Sequence, residues 1–205
     1  MPANLIQLQV GPWEMNCYIL ICSTTNKSAI IDPGADADKL LAAIEGTQID
    51  KVLITHGHPD HVGALDEVKQ ATDAPVYLHP TDAKKFEIQY DHPLNHGDLI
   101  TIGEITLHTI HVPGHTPGQV CFDIGDGRIL VGDTIFVNGP GATSSPKDFA
   151  TTMQTMQNIV FQWPDETQFF PGHGSSGSIK EERSRFETFL KQGWDPDLQG
   201  DVTWE

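Results

Sequence analysis

Three histidines and an aspartate lie within residues 56–61, directly after an apolar stretch. Imidazole nitrogens together with a carboxylate suit zinc, iron or manganese, and nothing in this segment offers a thiolate. Alternation along an extended segment places His56 and His58 on the same side. Asp60 and His61 then project from the turn that opens the next helix. A polar loop of unrelated surface histidines is the alternative, but four ligand-type residues this close together favour a metal site.

Three more ligand-type residues stand next to glycine where predicted strands stop: His115, Asp133 and His173. Taken singly, each residue is only weak evidence for a metal ligand, because a histidine beside glycine is more often a loop residue and Asp133 could simply form a turn. Strand ends converge at one edge of a layered fold, and glycine permits the backbone turns that aim side chains inward. We therefore expect these residues to join the first cluster in a single site.

Apolar patterning predicts the elements that must position these side chains. Strands are predicted at 5–10, 15–22, 28–31, 51–55, 75–78, 99–102, 105–110, 119–124, 128–131 and 168–170. Apolar residues at spacings of three and four predict helices at 37–44, 62–68, 149–160 and 178–190, and a polar stretch reaches from the strand at 75–78 to about residue 98. No linker marks a second domain, so we expect one domain over residues 1–205, built of two packed sheets with helices outside.

Composition limits the classes of partner. The formal net charge is −16, from 28 acidic and 12 basic residues. A nucleic-acid backbone or an anionic membrane is therefore not expected as a partner, since both are bound through clustered Lys and Arg. Three cysteines without a CxxC spacing, and an amino terminus without signal-peptide features, predict a cytoplasmic protein. A small-molecule substrate is expected, and a homo-oligomer is compatible with the sequence.

The motifs THGHPDH (55–61), GHTPG (114–118), GDT (132–134) and GHG (172–174) resemble those of the metallo-β-lactamase superfamily. Their order and spacing cover most of the chain. Within the superfamily the sequence looks most like the short glyoxalase II-like (hydroxyacylglutathione hydrolase-like) hydrolases. The resemblance implies an α/β fold, the αββα sandwich, in which two packed mixed β-sheets are flanked by helices and carry the metals at one edge.

The resemblance also implies two divalent metal ions per chain, Zn²⁺ first, with Fe or Mn as alternatives. Seven ligands are implied, three for each ion and one bridging both: His56, His58 and His115 for the first; Asp60, His61 and His173 for the second; Asp133 between them. Asp32 resembles the family's aspartate that orients a ligand histidine, and a simple Asp-Pro-Gly turn is the alternative. The remaining histidines match no ligand motif and are interpreted as structural or surface residues: His79, His92, His96, His108 and His111.

The implied reaction is hydrolysis by a hydroxide that bridges two metals. Two metals sharing a water lower its pKa from about 15.7 towards about 7, and a metal polarises the carbonyl that is attacked. Asp60 is expected to orient the nucleophile and to shuttle its proton. No protein nucleophile is required, and the sequence has no GxSxG elbow. The glyoxalase II resemblance implies a thioester or related ester, whose thiolate leaves without much acid assistance.

The sequence departs from the glyoxalase II pattern in two places, and both argue against recognition of glutathione. Glyoxalase II relatives usually carry a basic residue soon after GDT, whereas here the first base in that region is Lys147. Only enough chain follows His173 for one helix and a tail. Trp13, Phe136 and the segment 138–147 are candidates to line the substrate cleft, with core packing as the alternative.

Other readings stay open. A lactonase could use the same dinuclear site. A mononuclear iron persulfide dioxygenase would need only His56, His115 and Asp133. A true β-lactamase, a flavodiiron-type protein, a nuclease and a degenerate metal-binding module are less favoured.

Overall fold

Two six-stranded β-sheets form the centre of the computed structural model, which describes residues 3–204. The first sheet follows chain order and contains β1 (Ala3–Val10), β2 (Met15–Cys22), β3 (Lys27–Ile31), β4 (Gln48–Leu53), β5 (Val76–Leu78) and β6 (His92–Pro93). Its first three strands are antiparallel, and β3 to β6 are parallel. The connections between the parallel strands carry α1 (Ala37–Ala43), α2 (Pro59–Val62), α3 (Leu65–Thr72) and α4 (Pro80–Phe86).

The second half of the chain forms the second sheet. Its elements are β7 (Leu99–Ile102), β8 (Ile105–His111), β9 (Val120–Asp123), β10 (Arg128–Gly132), a small hairpin of β11 (Ile135–Phe136) and β12 (Gly139–Pro140), α5 (Pro146–Asn158), a 3-10 helix (Val160–Gln162), β13 (Gln168–Pro171), β14 (Gly177–Ser178) and α6 (Ile179–Gln192). The strand order is β14-β13-β10-β9-β8-β7. Because β10 and β13 are parallel while their neighbours are antiparallel, this sheet is also mixed.

Three apolar layers hold the sandwich together. The layer between the sheets includes Leu20, Ile31, Leu53, Phe122 and Leu130. The other two lie outside the sheets, one under α1, α3 and α4 and the other under α5 and α6. Strand β2 is covered on both faces, which explains why its sequence is a nearly continuous apolar run. The expected αββα sandwich is confirmed, while the single domain over residues 1–205 stays a prediction.

Several predicted elements differ from the observed ones. The strand predicted at 51–55 is β4, which ends at Leu53, because Thr55 leaves the first sheet and its carbonyl accepts from the N–H of Val120 (2.9 Å) in the second. The helix predicted at 62–68 is split into α2 and α3, and Ala64 between them donates to the carbonyl of Pro33 (2.9 Å). The α-helix predicted at 149–160 is α5 followed by the 3-10 helix.

The sequence prediction missed α4 in the polar stretch before residue 98. This helix has no apolar stripe, and its fully or nearly fully buried residues are Asp82 and Ala83. The ring of His79 caps its first turn by accepting from the N–H of Thr81 (3.2 Å). The short strands β6, β11, β12 and β14 were missed as well, since two residues are too few to show the alternation of apolar and polar residues that predicts a strand. No helix in residues 3–204 is long and apolar enough to cross a membrane.

Truncation of a side chain between the sheets tests this packing. Phe122 is fully buried there, so Phe122→Ala should lower the free energy of unfolding by about 3 to 5 kcal/mol, through lost burial and the cavity left behind. Leu99→Ala on the exposed edge strand β7 is the control and should change it by less than about 0.5 kcal/mol. Urea unfolding followed by circular dichroism measures both. A loss below about 1 kcal/mol for Phe122→Ala would contradict the packing described.

Candidate metal centre

Loops at one edge of the sandwich bring the predicted residues together. The segment 54–61 leaves β4 and enters α2, His115 lies between β8 and β9, Asp133 follows β10 and His173 follows β13. Ligand atoms of these residues form three overlapping groups, each within 4.8 Å: His56, His58 and His115; His56, His61 and Asp133; Asp60, His61 and His173. All seven residues named from the sequence are therefore present in one cluster.

In the three-histidine group, made of His56, His58 and His115, the ring nitrogens face one another. Nδ1 of His58 lies 3.1 Å from Nε2 of His56 and 2.9 Å from Nε2 of His115. Nδ1 of His115 donates to the carbonyl of Ala142 (2.6 Å), which leaves its Nε2 lone pair directed into the cluster. Outer hydrogen bonds of this kind fix the tautomer of metal-binding histidines.

The acidic group, made of Asp60, His61 and His173, lies beside it. Oδ2 of Asp60 accepts from Nε2 of His173 (2.9 Å) and lies 3.9 Å from Nε2 of His61. Asp133 lies between the two groups, with Oδ1 3.3 Å from Nε2 of His61 and Oδ2 3.6 Å from Nε2 of His115. The two groups thus share one carboxylate.

Asp32 holds the back of the cluster. Its Oδ1 accepts from the N–H of Thr55 (2.7 Å), and its Oδ2 accepts from the Thr55 hydroxyl (2.6 Å) and from Nδ1 of His61 (3.0 Å). Since the Thr55 hydroxyl proton is used there, its oxygen is free to accept from Nδ1 of His56 (3.1 Å). Asp32 is both a turn residue, with φ of 55°, and the partner of a cluster histidine.

The donor set fits divalent cations. Nε2 of His61 and Oδ1 of Asp133 are buried and lie 3.3 Å apart as an ion pair, but neither makes a well-directed hydrogen bond within residues 3–204. Such atoms are costly to leave unsatisfied, and a bound cation is the partner they lack. Nitrogen and carboxylate donors without thiolate suit zinc, iron or manganese.

The two groups have opposite electrostatic character without a metal. Burial and the neighbouring histidines lower the pKa of His56, and burial and His115 lower the pKa of His58 to about 4. Burial would also lower the pKa of His61, but Asp133 and Asp32 outweigh it and raise that pKa to about 10. The hydrogen bond from His173 lowers the pKa of Asp60 to about 2. The three-histidine group is therefore uncharged at pH 7, whereas the imidazole of His61 is protonated and positively charged.

Two positioning side chains were missed by sequence reasoning. Asn16, on β2, donates from its amide to the carbonyls of Pro171 (3.0 Å) and Gly174 (2.9 Å) and so holds the loop of His173. A polar residue inside an apolar run was the available signal. Asp82, on α4, contacts the loops of the three-histidine group, and no motif or period indicated it.

The five remaining histidines belong to none of the three groups. His79 stacks on His111 with ring centroids 4.5 Å apart, and His92 stacks on Tyr77 at 4.7 Å.

The rim of the cluster is apolar on the side of the acidic group. Trp13 is 68% exposed and lines a cavity of about 90 Å³ that reaches Asp60. Phe136 and Val137 line a second cavity, of about 260 Å³, with His173.

The side chain of Lys85 lies over an aromatic ring that packs against the three-histidine group. The ring of Phe86 packs edge-on against His58 with centroids 5.1 Å apart. Nζ of Lys85 lies 5.0 Å from the centre of that Phe86 ring. Lys85 is exposed and makes no ion pair in the described part of the chain.

This fold and this cluster define a class, and sequence comparison agrees with it. The chain belongs to the metallo-beta-lactamase superfamily, whose family model matches residues 10–175. Two curated relatives, each 30% identical, are the "Probable metallo-hydrolase YqgX" of Bacillus subtilis, matched over 87% of this chain and 94% of that protein, and the "Hydroxyacylglutathione hydrolase GloC" of Haemophilus influenzae, over 91% and 98%. The chain is accordingly assigned to the metal-dependent hydrolases.

Two solved structures share the fold. The BLEG-1 B3 metallo-beta-lactamase superposes with a TM-score of 0.78 and 27% identity, over 88% of this chain and 97% of that one. TTHA1623, solved in a di-iron-bound form, superposes with a TM-score of 0.73 and 28% identity, over 87% and 96%.

Metal affinity should depend on pH differently in the two groups. At the acidic group a metal must displace the proton of His61, so its affinity should rise up to about tenfold per pH unit from about pH 6 to about pH 8. At the three-histidine group the affinity should stay nearly flat, because His58 is already neutral there. Zn²⁺ titration against a chelating dye at several pH values measures both. Two equivalents with the same flat profile would contradict the assigned charges.

Proposed function

We propose that this chain is a dinuclear metal-dependent hydrolase that acts on a thioester or a related ester, as the glyoxalase II-like enzymes do. The observation that carries the proposal is the position of Asp133. One of its oxygens faces His61 of the acidic group and the other faces His115 of the three-histidine group. A carboxylate shared in this way is suited to bridge two cations. The di-iron form of TTHA1623 supports the same count in a related protein.

Each residue has a role that follows from its surroundings. Two bound cations would supply a water of lowered pKa and a polarised carbonyl. His56, His58 and His115 would hold one cation, and Asp60, His61 and His173 the other, with Asp133 between them. The carboxylate of Asp60, kept ionised by its bond to His173, can orient the attacking water by accepting a hydrogen bond from it. Asp32 fixes the ring of His61 and, through Thr55, that of His56.

A thioester suits a site without a carboxylic acid that could protonate the leaving group. No acidic side chain with a raised pKa lies among the seven cluster residues, so a leaving group that needs protonation would have no donor of that kind. A thiolate departs without one. The similarity to the hydroxyacylglutathione hydrolase GloC supports this substrate class, and the apolar surfaces of Trp13 and Phe136 can contact the acyl part.

The mononuclear dioxygenase reading is less favoured than the hydrolase. It leaves Asp60 and His173 without a task, although their side chains are hydrogen-bonded and placed within reach of His61. A lactonase would use the same groups, and it is separated from a thioesterase by substrate alone.

Metal analysis and turnover test the proposal together. Protein purified without added metal should contain about two metal ions per chain and should hydrolyse acyl thioesters without consuming oxygen. Asp60→Ala should lower kcat/KM at least about 100-fold, through loss of both a cation contact and the hydrogen-bond acceptor that orients the water. Asp66→Ala, an exposed aspartate on α3, is the matched control and should leave kcat/KM unchanged. One iron per chain with oxygen uptake on a persulfide would replace the hydrolase by the dioxygenase.

Lys85 tests how the leaving group is recognised. The usual base after GDT is absent, and Lys85 on α4 lies over the Phe86 ring, which in turn packs edge-on against His58. Lys85→Ala should raise KM about threefold to tenfold for a thioester whose thiol carries a carboxylate, and should not change it for a neutral thioester. Lys84→Ala, at the neighbouring exposed position, is the control. Equal effects on both substrates would exclude a charge contact.

A further inference from the structure

Asp82 is a buried carboxylate that makes no ion pair within residues 3–204 and is satisfied by three hydrogen bonds. Its side chain is fully buried. Oδ2 accepts from the N–H of Gly57 (3.0 Å) and from the hydroxyl of Thr116 (2.7 Å), and Oδ1 accepts from the N–H of Gly118 (2.7 Å). Bonds to an ionised acceptor are stronger than neutral ones, so this group can offset its own desolvation.

These three donors belong to the two loops that form the three-histidine group. Gly57 separates His56 from His58, and Thr116 directly follows His115. His58 and His115 are 57 residues apart in the chain, yet their nitrogens lie 2.9 Å apart. Asp82 thus links the first loop to the second from a third element, α4.

Helix α4 approaches both loops too closely for side chains at the contact positions. A Cβ on Gly118 would lie 2.7 Å from the backbone nitrogen of Asp82, and a Cβ on Gly57 would lie 2.3 Å from the ring of Phe86. Both distances are shorter than real Cβ contacts allow. The glycines therefore let the carboxylate reach the loop backbones directly.

We propose that Asp82 is the positioning residue of the three-histidine group, as Asp32 is for His61. This inference rests on the proposed metal-binding function. Asp32 touches the ring of a cluster histidine, whereas Asp82 touches none of the rings. Asp82 acts through two backbone N–H groups and the Thr116 hydroxyl, so it sets the distance between His58 and His115 and leaves their tautomers to other partners.

Loss of the link through Asp82 should weaken the binding of only one of the two metals. Without the link, the loops carrying His56, His58 and His115 lose their common anchor, while Asp60, His61 and His173 keep theirs. Substitution at Asp82 should therefore weaken one metal equivalent and spare the other.

Asp82→Asn is the primary variant, because an amide NH₂ replaces one of the two acceptor atoms at nearly constant size. One of the two Co²⁺ equivalents should bind about 10-fold to 100-fold more weakly than in the wild type, the range seen when an outer partner of a metal ligand is lost. Its visible absorption band should change, since cobalt bands report ligand geometry, while the other equivalent keeps its affinity. Titration of the purified full chain with Co²⁺ alone, monitored by absorbance, measures both.

Thr116 supplies a second variant in case Asp82→Asn fails to fold. Thr116→Val removes the hydroxyl bond to Asp82 and should weaken the same equivalent in the same direction, and Thr116→Ser should restore it. Val68→Ala, in the buried layer under α3, is the control for loss of stability without contact to the loops. Its metal affinities should match the wild type at a temperature where it is folded.

Three outcomes would overturn the role of Asp82. The first is wild-type affinity for both equivalents in folded Asp82→Asn. The second is equal weakening of both equivalents, and the third is the same weakening in Val68→Ala, since either would show a purely structural effect. If the wild type binds only one Co²⁺, the dinuclear proposal fails, and the affinity of that single ion in Asp82→Asn still tests the positioning role of Asp82.

Discussion

The site depends on one constraint: the lone pairs of several imidazole and carboxylate groups point into the same small space. Nitrogens of His56, His58 and His115 converge at hydrogen-bond distance, and a buried carboxylate, Asp133, faces both halves of the cluster. No apolar packing would select this arrangement, because it concentrates acceptors where water is largely excluded. Protonation of His61 and rigid hydrogen bonds from outside the cluster offset the repulsion between these groups. The buried atoms of His61 and Asp133 that make no hydrogen bond show where a cation would bind.

Rigidity comes from carboxylates placed behind the cluster and from the two sheets. Asp32 lies at the end of β3 and bonds to the neighbouring strand's extension at Thr55. Asp82 lies on α4 and bonds to loops from both sheets. Asn16 on β2 fixes the loop that follows β13 in the other sheet. Each of these polar side chains joins elements that are distant in sequence, so the sandwich and the site stabilise one another.

The same scaffold leaves the surroundings of the site free to vary. The BLEG-1 B3 metallo-beta-lactamase shares this fold although the two chains are only 27% identical. In this chain the surface beside His173 is apolar, through Phe136 and Val137, and Lys85 on α4 lies over the Phe86 ring, which packs against His58. Substrate choice is thus a property of rim residues on separate elements, which explains why the fold alone names a class of reaction and not a substrate.

Local patterns were sufficient for much of the fold. The hairpins β7–β8 and β9–β10 follow from short apolar runs around a tight turn, and α6 follows from its apolar stripe. Helix α4 could not be found this way, because the group that it buries is the carboxylate of Asp82, which reads as a surface residue when only polarity is considered. The split between α2 and α3 depends on the contact of Ala64 with Pro33, a bond between distant loops.

The sequence by itself determined which chemistry is available: imidazole and carboxylate donors, four of them within residues 56–61, and no cluster of cysteines. Their motifs also determined the family. The resemblance implied that Asp133 lies between the two groups, but only the tertiary structure decided its distances to His61 and His115, because its place depends on β10 lying beside β13 in a sheet whose neighbouring strands are not all consecutive in the chain. The tertiary structure likewise decided that Asp82 bonds to two loops, and that the Phe86 ring contacts both Lys85 and His58. These relations are distances between remote parts of the chain, and the packing of whole elements, rather than any local pattern, sets such distances.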